Sequence, residues 1–278
     1  MKLVRYGDPG LERPGLIDSS GGLRDLSGRI PDVSGSALGP DSLRELRAIR
    51  TDELPLVATG ARLGPCVGKV GKFICVGLNY LDHVREAGAA LPTEPVLFMK
   101  ATSSISGPYD PLMIPPGCTM VDWEVELGVV IGSVAKNVNA DGAMACVAGY
   151  CVVNDVSERA WQLQGTGQWV KGKSADTFGP IGPWLVTRDE IDDPQSLKLW
   201  LFVNEQPRQH SSTSQMIFPV EAVVSYISRF MTLHPGDIIS TGTPPGVGMG
   251  AKPPVFLKSG DVVRLGVERL GEQCQHVS

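Results

Sequence analysis

The sequence predicts an α+β fold that is mainly β. Short apolar runs alternate with turn sequences such as "GPYDP", "IPPG", "HPGD", "TPPG" and "KSGD", the punctuation of a sheet-rich chain. Glycine (33 residues) and proline (22) are correspondingly frequent. Helical periodicity is confined to a few segments.

In chain order, residues 1–70 read as a small N-terminal domain and linker. A strand-turn unit, "KLVRYG…PGLID…GLRDLSG", is followed by an amphipathic helix over 41–50 that opens on Asp41. "LPLVATGARLGPCVGKVGK" then reads as a linker, and the strands strengthen from Phe73 onward. Residues 71–278 form the second expected domain. Within it, "NYLDHVREAG" predicts a helix from Asn79 to a Gly88 stop. "PVEAVVSYISRFMTL" predicts another over 219–233, beginning at a proline.

The chain of 278 residues has a formal net charge of -5. No Lys/Arg run stands out, which argues against a nucleic-acid partner. The apolar stretches are too short to span a bilayer, and the N-terminus lacks the apolar core of a signal peptide. A cytoplasmic enzyme is expected. The six cysteines show no CxxC pair and no zinc-ligand spacing, and read as reduced, mostly core residues.

"VDWEVELGVVIG" (121–132) reads as a buried strand that nonetheless carries Asp122, Glu124 and Glu126. Alternation puts these three on one face and Trp123, Val125 and Leu127 on the other. The Cα atoms of Glu124 and Glu126 would be roughly 6.7 Å apart, close enough for both carboxylates to meet one cation. An acidic solvent face would give the same alternation. The apolar continuation "GVVIG" points inward instead, and buried like charges need a proton or a cation. Asp155, ending the apolar run "AGYCVVND" before a cap-like Ser157, offers a third carboxylate or a plain strand-to-turn aspartate. An all-carboxylate set without His or Cys favours Mg²⁺, then Mn²⁺ or Ca²⁺.

On the expected helix 79–88, His83 and Glu86 stand at i and i+3 and share a face. A carboxylate beside an imidazole suits a general base acting on water, although a surface His–Glu pair has the same spacing. The following "GAALPTEP" can serve as a lid, so residues 79–93 are expected to be mobile without ligand.

In one order, "GLNYLDHVREAG", "EPVLFMKATSS", "WEVELGVVIG", "VNDVSERAWQ", "KGKSADTFGPIGPW" and "GDIISTGTPPGVG" resemble the fumarylacetoacetate hydrolase family over roughly residues 73–265. The first ~70 residues resemble the extra N-terminal domain of its longer bacterial members. The resemblance implies a mixed β-sandwich or β-roll catalytic domain. It implies metal ligands at Glu124, Glu126 and Asp155, and a catalytic dyad at His83 and Glu86. It further implies an active-site Lys173 and substrate contacts from Arg159, Gln162 and Thr241. Ala160 departs from the pattern, standing where an Asp after Arg159 is expected, which weakens inference about substrate from that loop. Lys100 is left as structural or of unknown role.

The expected activity is Mg²⁺-dependent hydrolysis of a carbon–carbon bond in a 2,4-dioxo acid. The substrate would be an acylpyruvate or a 2,4-dioxo-3-deoxy sugar acid, giving a pyruvate and a carboxylic acid. A 2-oxo acid decarboxylase, an isomerase or a ureidoglycolate lyase could use the same metal-enolate site, and a non-enzymatic metal-binding module is the rival of another class. The family also implies a homodimer or dimer of dimers.

Overall fold

The computed structural model of the chain describes every residue except Ala89, and the side chains of those described except Ala87. The fold is α+β and mainly β. A ten-stranded mixed sheet forms its centre. It runs Leu23–Asp25, Arg13–Ile17, Lys2–Tyr6, Gly179–Thr187, Val147–Asn154, Val125–Ile131, Ile238–Ser240, Phe73–Gly77, Val96–Lys100, with Ile105–Ser106 attached to Gly179–Thr187. A second, antiparallel sheet holds Gln206–Ser212, Lys198–Val203, Val262–Val267 and Gly271–His276.

The Val125–Ile131 strand shows why the sheet lies where it does. All of its residues are buried. Leu127, Val129 and Ile131 enter a core shared with the second sheet and the helix Val220–Ser228. Val130 points the other way, into a core with Leu38, Leu43 and Leu46 from around the helix Pro40–Arg47. A strand covered on both sides reads as a continuous apolar run, which is the "LGVVI" of the sequence.

The N-terminal strands belong to this same sheet. Lys2 pairs with Val186 and Leu3 with Leu185. The core beneath them mixes Leu3, Leu16 and Leu26 with Phe73, Val130 and Ile181. Sheet and core therefore run across the division near residue 70 expected from the sequence.

Helix ends differ in detail from the sequence reading. Pro40–Arg47 and Val220–Ser228 are shorter than the segments at 41–50 and 219–233. The helix expected at 79–88 spans Leu81–Ala87 and stops at Gly88 in the left-handed conformation, φ 61. Asn79 does not cap it. Its buried amide instead donates to Phe218 O at 3.1 Å and Thr241 O at 2.8 Å. The six cysteines are free, four of them buried.

Candidate active site

The register between two strands assembles the carboxylates. Val125–Ile131 and Val147–Asn154 pair antiparallel, with Val125 opposite Asn154 and Glu126 opposite Val153. Asp155 follows directly, and its N–H donates to Glu124 O at 2.9 Å. One oxygen each from Glu124, Glu126 and Asp155 lie within 4.8 Å of one another. The alternation therefore reflects a buried cluster and not a solvent face.

The strand is interrupted at Trp123 and Glu124, between Val121–Asp122 and Val125–Ile131. Side-chain amides accept the backbone donors there. Asn154 Oδ1 takes Glu124 N–H at 3.2 Å, and Gln209 Oε1 takes Val125 N–H at 2.9 Å. Buried backbone polar groups need such partners, and these two fix the stretch that carries Glu124.

Three buried cations meet the carboxylates. Lys173 Nζ lies 2.7 Å from Glu124 Oε2 and 2.7 Å from Asp155 Oδ2. Lys100 Nζ lies 2.5 Å from Asp155 Oδ1. Arg159 reaches Asp122 with Nε at 2.8 Å and Glu124 with a terminal nitrogen at 2.6 Å. Its other terminal nitrogen donates to Gln162 Oε1 at 2.9 Å. Glu126 stands outside this pairing. Its Oε2 accepts from Ser240 Oγ at 2.6 Å and Gly242 N–H at 2.8 Å. Its Oε1 has no hydrogen-bond donor among the described residues.

The electrostatics follow from that asymmetry. Burial pushes the Glu124 carboxyl up, but the Lys173 ammonium and the Arg159 guanidinium outweigh it and hold the group at about 2. Burial also pushes Glu126 up. The Asp155 and Glu124 carboxylates add to the push, so it stands well above the usual carboxylate range. For Lys173, burial pulls down while Asp155 and Glu124 raise it, and the net effect keeps the ammonium charged. A buried carboxylate that lacks its own positive partner, beside two more hard oxygen ligands, fits a divalent cation. Glu124, Glu126 and Asp155 can hold one.

A cavity of about 410 Å³ opens on this cluster, a size ordinary for small-molecule sites. His83, Glu86, Glu124, Glu126, Arg159, Gln162 and Lys173 line it together. Asp155 lies behind them, fully buried. His83 Nδ1 is 3.3 Å from Glu86 Oε2, so the dyad spacing is realised on the helix Leu81–Ala87. Of the lid segment expected at 79–93, Ala89 lies outside the described residues. Thr241 is away from the lining, its hydroxyl donating to Leu127 O at 2.8 Å. Thr243 lines the cavity in its place.

Comparisons with known proteins identify the family. The model of the family described as "Fumarylacetoacetate (FAA) hydrolase C-terminal" matches residues 72–278. The chain belongs to the fumarylacetoacetate hydrolase family. A relative from Burkholderia lata, carrying only the provisional name of a hydrolase, is 60% identical over 277 residues and covers 99% of this chain and 98% of its own. Among solved structures, a fumarylacetoacetate hydrolase from psychrophilic Exiguobacterium antarcticum is 36% identical with a TM-score of 0.84, covering 100% of this chain and 99% of that one. A 2-hydroxyhepta-2,4-diene-1,7-dioate isomerase from Mycobacterium marinum is 33% identical with a TM-score of 0.77, covering 100% and 98%. A maleylpyruvate hydrolase from Sphingobium sp. SYK-6, solved with manganese(II) and pyruvate, is 28% identical with a TM-score of 0.81, covering 100% and 98%. Members of the fumarylacetoacetate hydrolase family similar to this chain thus include both hydrolases and isomerases.

Sequence reasoning left four contributors to the site unassigned. Lys100 looks like the polar end of an ordinary strand, and its partner Asp155 is 55 residues away. Asn154 and Gln209 matter only because the strand breaks opposite them. Asp122 was visible on the carboxylate face, but its partners were not. Besides Arg159, it accepts from Gly248 N–H at 2.6 Å and Met249 N–H at 3.0 Å, and so ties a wall of the cavity to the cluster. Gly248 is needed for that approach, because an added Cβ would sit 2.8 Å from Asp122 Oδ1.

Proposed function

We propose that the protein is a Mg²⁺-dependent hydrolase that cleaves the C3–C4 bond of a 2,4-dioxo acid, giving a pyruvate and a carboxylic acid. The observation that carries the reading is the His83–Glu86 pair lining the same cavity as Glu124 and Glu126. An acid-base group therefore shares its space with a cation site.

Glu124, Glu126 and Asp155 would hold the cation. When bound, it supplies Lewis-acid stabilisation of the charge that develops on the 2-oxo group. The protein's own groups perform the remaining work. Glu86 orients the His83 imidazole, which takes a proton from water as the water oxygen attacks C4. The tetrahedral adduct collapses, the C3–C4 bond breaks, and its electron pair leaves on C3 in conjugation with the 2-oxo group. A proton returned to C3 completes the pyruvate, and the new carboxylic acid loses its own. Lys173, bridging Glu124 and Asp155, would add positive charge at the chelated end or donate the final proton. Gln162 lines the cavity wall where substrate would pass, and Arg159, committed to Asp122, Glu124 and Gln162, holds that wall in place.

Isomerisation is the second reading, supported by the likeness to the Mycobacterium marinum isomerase. It needs a proton shuttle and no water aimed at C4, so pyruvate release separates the two. Removal of the His83 imidazole in His83→Ala should lower turnover by about 10²–10⁴-fold. Calorimetric Mg²⁺ affinity should stay unchanged. Hydrolysis that survives the substitution would remove His83 as the base.

A further inference from the structure

The cavity is charged at its floor, and one side of its mouth is apolar, facing His83 and Glu86. Glu124, Glu126, Arg159 and Lys173 are 7%, 2%, 3% and 2% exposed, whereas Leu163 is 45% and Met249 38% exposed. Leu78, Phe98 and Trp169 are half-buried and line the same space. The aromatic part of this wall is held in place. Phe98 and Trp169 meet edge to face with ring centroids 5.3 Å apart. An added Cβ at Gly77 would lie 2.7 Å from the Trp169 ring, so the glycine makes the seat for that ring. Lys173 Nζ sits 5.0 Å from the Phe98 ring centroid, which places the aromatic wall directly beside the charged floor.

The cations of the lining are already committed. Arg159 serves Asp122, Glu124 and Gln162, and Lys173 serves Glu124 and Asp155. No other Lys or Arg lines the cavity among the described residues. A substrate placing its carboxylate and 2-oxo group at the floor must direct its C4 substituent along the apolar wall. A second carboxylate against that wall would lose water and meet no Lys or Arg side chain, and Glu86 would repel it. A polyhydroxylated chain would likewise leave hydroxyls unpaired against Leu163, Phe98 and Met249.

Resting on the reading of the site as a 2,4-dioxo acid hydrolase, we infer that the substrate is a monoanionic acylpyruvate whose acyl group is apolar, aromatic or alkyl. Dicarboxylic and sugar-derived dioxo acids are disfavoured. This narrows the two substrate types that the sequence left side by side.

The test uses the full chain with Mg²⁺ and three 2,4-dioxo acids of similar length, ending in phenyl, carboxylate or a polyhydroxylated chain. Calorimetric binding of phenylpyruvate and 2-oxoglutarate, which lack the bond to be cleaved, is read in parallel. The phenyl substrate should lead in kcat/KM by at least about tenfold, the lower range for a mismatched pocket contact. Phenylpyruvate should bind more tightly than 2-oxoglutarate. Trp169→Ala should shrink both differences, and Leu163→Arg, at the exposed rim, should raise activity on the carboxylate-tailed acid. Equal or better use of the carboxylate-tailed or polyhydroxylated acid overturns the inference and leaves the hydrolase reading intact. Cleavage of none of the three, with phenylpyruvate still bound preferentially, overturns the hydrolase reading and leaves the apolar wall supported. Cleavage of none with no binding preference removes both.

Discussion

Glu126 is the residue on which the site's charge balance turns. Asp122, Glu124, Glu126 and Asp155 are four buried carboxylates, and Lys100, Arg159 and Lys173 are three buried cations. Glu126 is the acid left without an ion pair among the described residues. In Glu126→Gln the amide keeps an acceptor for Ser240 and Gly242 and can never add a fourth negative charge to the cluster. The expected outcome in chelator is a melting temperature equal to or above that of the parent protein. Saturating Mg²⁺ should stabilise the parent by about 2.7 kcal/mol at 100 times its Kd and the variant by much less. Thermal melts with and without the ion check both halves. The convergence of Glu124, Glu126 and Asp155 was legible because a period of two and a family motif both pointed to it. Lys100 was not legible, since nothing local in "VLFMK" marks a lysine that will be 1% exposed. The difference between Thr241 and Thr243 was also hidden. The two flank Gly242, and only tertiary placement decides which residue lines the cavity.

At the scale of elements, the site is a meeting of broken strands and short helices. The interruption at Trp123–Glu124 frees backbone groups for Asn154 and Gln209, and places Asp122 beside Arg159 and the 246–250 loop. That loop also touches the dyad helix, with Gly246 N–H 3.1 Å from Glu86. One buried aspartate thereby links the cluster, the cavity wall and the segment that meets the dyad. Asp122→Asn should lower Mg²⁺ affinity or kcat/KM by roughly 10–100-fold, the usual effect of losing a partner that orients a metal ligand. Calorimetry and steady-state kinetics measure it, and Asp122→Glu should recover part of the loss. The sequence pattern missed the helices Arg159–Leu163 and Trp169–Lys173, which position five of the cavity residues. Five residues are too few to display a helical period, so packing and not propensity decides them.

For the whole molecule, the sheet joins distant parts of the chain around one site. Lys2 pairs with Val186, and the N-terminal strands complete the layer that buries Val130 and Ile181. Local strand signals revealed the individual strands, but not that residues 1–70 share a core with the rest, because pairing partners so far apart leave no local trace. Among the described residues no helix is long and apolar enough to cross a membrane. The account depends on a hard divalent ion residing where strand register brings three acids together. Crystals of the full chain grown with Mn²⁺ and measured at the manganese absorption edge test this most directly. The account predicts one strong anomalous peak bounded by oxygens of Glu124, Glu126 and Asp155. A well-ordered site without that peak, or a peak held by other residues, would contradict it.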